Sequence, residues 1–262
     1  MKLFYQSVAP LGINPIWDGY ERALVSHLLS AKGPETELEV RGVKVMIPQA
    51  TEYTYLEYLN VGQILDNAIK AEKEGYDGFI LGCMTDPGHD IFLSILDIPV
   101  VFAGETSMYL GCLLGKKFAL IARTERAASR ISSNIRSYGL LERTLPSAFL
   151  NFSFETLSRS FEDPAFVFDP FFKKCDELID QGADVILSGC GVLSVLLAVN
   201  KVNEYKGAVI LDMIGSLVKM AEMMVKLKRD LSVGVSRRGF YASPDREVME
   251  QARKALEKSR AD

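Results

Sequence analysis

The sequence predicts an α/β protein made of two pseudo-symmetric lobes, each a parallel-rich sheet covered by helices, with a cleft between them. Three observations carry this expectation. Short apolar runs of strand length alternate with longer segments of helical spacing, the pattern that builds parallel sheets covered on both faces. One device occurs twice: a helical stretch closes on glycine, a buried-type strand follows, and the strand stops at a glycine-cysteine step. It reads Gly78-Phe79-Ile80-Leu81-Gly82-Cys83 in the first copy and Asp184-Val185-Ile186-Leu187-Ser188-Gly189-Cys190 in the second. Finally, 262 residues, 48% hydrophobic and 24% charged, suffice for one large domain or two compact lobes.

Leu3 to Gln6 reads as the first strand, ended by a loop with Pro10 and Pro15, and a helix follows from Trp17 to about Ser30. Glu37 to Val43 alternates like a strand. Leu59, Ile64, Leu65, Ala68 and Ile69 recur at helical spacing between Tyr58 and Glu74. After the first cysteine strand, Asp86-Pro87-Gly88 opens a short helix, and Asp97 to Phe102 is the next strand. A second series then runs through a helix from Glu105 to Leu114, a strand from Phe118 to Ala122, and a helix from Glu125 to Tyr138. A strand near Phe149 to Phe154 and a helix from Pro164 to Asp180 lead into the second cysteine strand. A helix from Leu193 and a strand from Ala208 to Asp212 complete the series. Helices from Ile214 to Lys228 and from Pro244 to about Ser259 return over the first lobe, giving lobes of 1–103, completed by 213–262, and of 104–212.

Basic and acidic residues are interspersed with a net charge of -4, which excludes a nucleic-acid stripe or a membrane-surface patch. No apolar run reaches spanning length and the first residues lack a signal-peptide core, so a cytoplasmic location is expected. The expected partners are a small-molecule substrate and further copies of the chain. Four scattered cysteines in a chain this large suit buried or catalytic thiols better than disulfides, and no metal-type Cys-x-x-Cys or His-x-x-x-His pair occurs.

Gly82-Cys83-Met84-Thr85-Asp86-Pro87-Gly88, then Leu96 to Val101, then Gly104-Glu105-Thr106-Ser107, resembles the hydantoin and allantoin racemase branch of the aspartate/glutamate racemase superfamily. Gly182 to Gly191 is similar to that family's other cysteine motif, and Ser236 to Tyr241 to its C-terminal stretch. The resemblance implies a two-lobed, cofactor-independent racemase or epimerase that inverts a stereocentre beside a carbonyl, with Cys83 and Cys190 as the acid/base pair. It departs from the family at the first strand end, where Gln6-Ser7-Val8-Ala9-Pro10 replaces the usual Asn-Pro-Asn.

Inverting a carbon needs one base to remove the proton and another acid to return it to the opposite face. Both cysteines precede expected helix starts, where backbone N–H groups favour a thiolate. Candidate donors to an enolate are the N–H groups of Met84 and Thr85, the Thr85 hydroxyl, and the N–H groups of Gly191 and Val192. By position in the resembling fold, Ser7 and Thr124 also point into the cleft. Cys112 and Cys175 are expected in the core. His89 is either a general acid or a surface residue, Asp86 either a helix cap, the favoured reading, or a group that orients the Cys83 loop, and Arg123 either a carboxylate ligand or a solvated charge. Trp17 either packs its helix or walls the cleft. Competing readings are a maleate-type isomerase or an arylmalonate-type decarboxylase of the same superfamily, and a small-molecule sensor. The presence of Cys83 disfavours the decarboxylase.

Overall fold

In the computed structural model, which describes residues 1–261, the chain forms two sheets. Strands β1 (Lys2–Gln6), β2 (Glu37–Arg41), β3 (Gly78–Leu81) and β4 (Val100–Phe102) make the first, all parallel, in the order β2-β1-β3-β4. Strands β5 (Phe118–Ala122), β6 (Ala148–Phe149), β7 (Val185–Ser188), β8 (Glu204–Tyr205) and β9 (Ala208–Leu211) make the second, ordered β6-β5-β7-β9-β8. Only β8 runs antiparallel to its neighbour. The helices are α1 (Asp18–Ala31), α2 (Thr54–Lys73), α3 (His89–Ile95), α4 (Ala103–Leu114), α5 (Glu125–Ser137), α6 (Phe154–Arg159), α7 (Ala165–Asp180), α8 (Gly191–Val199), α9 (Met213–Leu231) and α10 (Arg246–Ala261).

Strand alternation explains how the lobes are joined. In the first sheet Phe4, Phe79, Leu81 and Phe102 face one way, against Ile64 and Ala68 of α2 and Phe92 of α3. Leu3, Tyr5, Ile80 and Val101 face the other way and enter an apolar cluster that continues through α1, α8 and α9 to Phe118–Ala122 and Val185–Leu187 of the second sheet. Both sheets therefore share one core. Each large apolar side chain in it contributes about 1.5–3 kcal/mol by full burial, so the spacing between the sheets is a packed dimension rather than a hinge. α9 lies on β3 and β4, and α10 is tied to the opposite, α2-covered side by Arg253 to Asp66 of α2 and to the residue run before β4 by Arg246 to Asp97 at 2.5 Å.

Two local expectations are corrected. The aromatic run from Phe149 to Phe154 is not one strand: β6 stops at Phe149, Asn151 adopts φ 58°, and the Ser153 hydroxyl accepts from the Thr156 N–H at 3.0 Å to start α6. The unforeseen β8–β9 hairpin turns at Lys206 and Gly207, both with positive φ (49° and 84°), the geometry of a two-residue hairpin loop. Among the described residues no helix is long and apolar enough to cross a membrane.

Candidate active site

The two cysteine turns come from opposite sheets and press against each other. After β3, the Gly82 N–H donates to the Gln6 carbonyl at 2.9 Å, which folds the chain back over β1; a side chain on Gly82 would run into the Tyr5 hydroxyl. After β7, the Gly189 N–H donates to the Ile121 carbonyl at 2.9 Å, and a side chain there would come within 2.8 Å of the Ala122 Cα. Cys190 is then the N-cap of α8, whose N-terminal dipole favours negative charge at that position. The turns touch at one point: a Cβ on Gly191 would sit 3.2 Å from the Gly82 carbonyl oxygen.

The first turn is held from the second lobe. Asp86, buried and at φ 45°, accepts from the Gly104 and Glu105 N–H groups and from the Tyr138 hydroxyl, each at 2.7 Å. It thus caps α4 rather than its own helix, and Asn134 donates to the Thr85 carbonyl at 2.8 Å. Burial pushes the Asp86 carboxyl up to about 7, against the pull of those donors and of His89.

Both thiols are free and buried, and both border one cavity of about 60 Å³. Ser7, Met84, Thr85, Gly191 and Val192 line it too, as does Trp17. Thr124 does not: its hydroxyl accepts from the Ala127 N–H at 3.2 Å as the N-cap of α5. Sequence reasoning missed Tyr20, three residues after Trp17 and hence on the same face of the helical turn. It also missed the covering segment between β2 and α2, which places Met46, Ile47, Ala50 and Thr51 over the cavity; an irregular loop carries no periodic signal.

Arg123 is the only charged residue on the cavity wall among the described residues, and its charge is matched. The guanidinium pairs with Glu52 of the covering segment, donates to the Phe152 carbonyl at 2.7 Å and lies 3.9 Å from the Phe154 ring centroid. Two further contacts tie the end of this segment and the first turn of α2 to α5: Arg126 over the Tyr53 ring at 4.8 Å and Arg130 to Glu57 at 2.7 Å.

The expectation that a helix start lowers both thiols fails for Cys83. Five residues separate it from α3, a short helix whose N-cap is Gly88. Burial pushes the Cys83 thiol up to about 12, offset only in part by the Thr85 hydroxyl at 3.3 Å and the Thr85 N–H, with Asp86 and Glu57 adding to the rise.

His89 lies outside the cavity, its ring 4.5 Å from that of Phe102 and its Nδ1 3.0 Å from Asp90; Nε2 is 3.3 Å from Glu105 but off the hydrogen-bond direction. Its burial disfavours charge, but the Glu105 and Asp90 carboxylates outweigh this and push it up to about 9. Cys175 is buried in the core; Cys112 is only half-buried. Among the described residues no three His, Cys, Asp or Glu side chains are grouped to hold a metal ion.

A family model described as Asp/Glu/Hydantoin racemase matches residues 19–221, most of the chain and both cysteine turns. The chain belongs to the Asp/Glu/hydantoin racemase family. It is an isomerase of the racemase type. This racemase is 27% identical over 209 residues to the hydantoin racemase of Pseudomonas sp. (strain NS671), covering 78% of this chain and 80% of that one. Its fold is similar to that of the allantoin racemase from Pseudomonas fluorescens, at TM-score 0.78 and 20% identity over 93% of this chain and 97% of the other. The allantoin racemase from Klebsiella pneumoniae follows at TM-score 0.77 and 17% identity, over 93% and 94%.

Proposed function

We propose that this racemase inverts a stereocentre beside a carbonyl in a neutral cyclic ureide or imide, hydantoin- or allantoin-like, by passing protons between the substrate carbon and Cys83 and Cys190. The carrying observation is that two thiols, one from each sheet, border one small cavity whose single ionic side chain is already paired. Free amino acids bring a carboxylate and an ammonium that this wall leaves unmatched. The relatives' names, hydantoin and allantoin racemase, agree with a ureide.

Cys83 rests as a thiol, and on this reading Cys190, the N-cap of α8, is the first base. Its thiolate takes the proton from carbon and becomes a thiol, the electron pair moves into the carbonyl as an enolate, and the Cys83 thiol gives its proton to the opposite face and becomes the thiolate. The pair is then set for the other enantiomer. The enolate oxygen is met by the Gly191 and Val192 N–H groups, which open α8 and so have no partner within the helix. No cofactor enters these steps.

The test is polarimetry on single enantiomers of 5-substituted hydantoins, allantoin, aspartate and glutamate. Loss of rotation for a ureide but for neither amino acid is expected, and loss for the amino acids alone overturns the proposal. The reading also takes 1–103 with 213–262, and 104–212, as the lobes of a cytoplasmic homo-oligomer. Sedimentation velocity tests the assembly, and a monomer removes that part.

A further inference from the structure

Trp17 and Tyr20 open α1 against the cavity, and neither is accounted for by proton transfer at the cysteines. Trp17 is 3% exposed, yet its indole Nε1 has no hydrogen-bond partner in the protein. Packing alone does not require tryptophan there. The ring meets Tyr20 and Phe154 edge-on, with centroids 5.9 and 5.7 Å away, contacts that a phenylalanine also makes. A buried N–H left unpaired costs stability, and such groups are rare in folded proteins. The Trp17 side chain that carries it belongs to the wall of the cavity that holds both thiols.

Tyr20 adds a second donor. It is 2% exposed, lines the same cavity, and its hydroxyl lies 3.8 Å from where a Cβ on Gly191 would be, beside Ser7 and within the electrostatic reach of both cysteines. Burial raises the phenol far above its ordinary range, so the group keeps its proton and donates. Thiols supply weak hydrogen bonds, and the N–H groups of α8 are committed to the enolate oxygen. A second acceptor on the substrate thus finds two neutral donors three residues apart where α1 begins.

We propose that the Trp17 indole N–H and the Tyr20 hydroxyl form a donor subsite for a second carbonyl of the substrate, the one that is not enolised. This rests on the ureide reading above and deepens it: the preferred substrate carries two carbonyl acceptors on one ring, as a hydantoin does, rather than the single carbonyl of a lactam or ketone. The subsite selects substrate and takes no part in moving the proton.

The test separates binding from turnover with 5,5-dimethylhydantoin, which has no proton to lose at the ring carbon, and with its 2-thio analogue, whose sulfur is a poor acceptor. Both are titrated calorimetrically against the wild type, Trp17→Phe and Tyr20→Phe. Each variant keeps its ring, and a circular-dichroism melt confirms the fold. The wild type is expected to bind the oxo compound, and each variant to bind it about 3- to 10-fold more weakly, the loss for one neutral hydrogen bond. The thio analogue should bind weakly and alike to all three proteins. Wild-type affinity for the oxo compound in both variants, or no wild-type preference for oxo over thio, overturns the subsite. If the subsite behaves as expected but single-enantiomer hydantoins keep their rotation, the donors stand and the racemisation of ureides falls.

Discussion

The Arg123 guanidinium at the cavity wall is paired with the Glu52 carboxylate of the covering segment, and both side chains are more than nine-tenths buried. The pair joins the end of β5 to the segment that covers the cysteines, so one contact both neutralises the wall and holds its cover. Glu52→Ala leaves an unmatched buried cation and should lower stability by about 3 kcal/mol in chemical denaturation. Glu52→Gln keeps the volume and frees the charge of Arg123. Small carboxylates should then become competitive inhibitors of the variant and should leave the wild type uninhibited.

Cys83 is protonated at rest, because burial outweighs the Thr85 contacts. With its thiol pushed up to about 12, only roughly one molecule in ten thousand carries the thiolate at pH 8. Iodoacetamide should therefore modify Cys83 far more slowly than an exposed cysteine. Peptide mass spectrometry should show the rate rising about tenfold per pH unit, and rapid labelling at pH 7 would contradict the resting state used in the mechanism.

The strands and both cysteine turns were legible because they are local patterns: an apolar run, a glycine where the backbone closes, then a cysteine. What decides the chemistry of the site was not local. Glu52 and Arg123 are 71 residues apart, and nothing in either neighbourhood announces the pair. Thr124 follows its strand just as a wall residue would, yet it was equally fit to cap α5, and the cap won. The expected lowering of Cys83 failed for the same reason: the turn precedes a helix in sequence, but in the fold Cys83 is buried in the apolar cluster of the first sheet, and its turn is hydrogen-bonded from α4 and α5. Trp17 was legible as a large aromatic near the cleft, but the unpaired state of its N–H is a property of the folded wall.

His89 sets a pH dependence for stability. Held by Glu105 and Asp90, with Asp86 and Tyr138 close by, it is pushed up to about 9 from the ordinary 6.5. The folded protein therefore binds this proton more tightly than the unfolded chain does. That contribution is full below about pH 6.5 and is lost as pH rises through about 9. Unfolding free energy should fall across this window. In His89→Gln the fall should flatten while racemase activity at pH 7 persists, since His89 lies outside the cavity.

Gly191 tests how closely the two turns must approach. A methyl group there lands 3.2 Å from the Gly82 carbonyl oxygen, so the turns must separate by a few tenths of an ångström. The Gly191 backbone is helical, which alanine adopts without strain. Gly191→Ala should consequently keep its melting temperature within a few degrees while kcat falls by about tenfold or more, because proton transfer is sensitive to sub-ångström placement. Equal losses in stability and rate would point to a packing role alone.

The two thiols themselves are tested by separating exchange from inversion. Serine is too weak an acid to replace either one, so Cys83→Ser and Cys190→Ser should each abolish racemisation measured by polarimetry. Each variant nevertheless keeps one sulfur on one face of the carbon. In deuterium oxide, that sulfur should still wash out the ring proton of the enantiomer whose hydrogen points at it, with configuration retained, and leave the other enantiomer untouched, the exchange through Cys83 being the slower because its thiol is protonated at rest. The two variants should therefore show opposite preferences when exchange is followed by proton NMR on pure enantiomers. If both exchange the same enantiomer, a single base serves both faces, and the assignment of one cysteine to each side of the substrate must be abandoned. If Cys83→Ser racemises at the wild-type rate, Cys83 is a buried thiol with no share in the reaction.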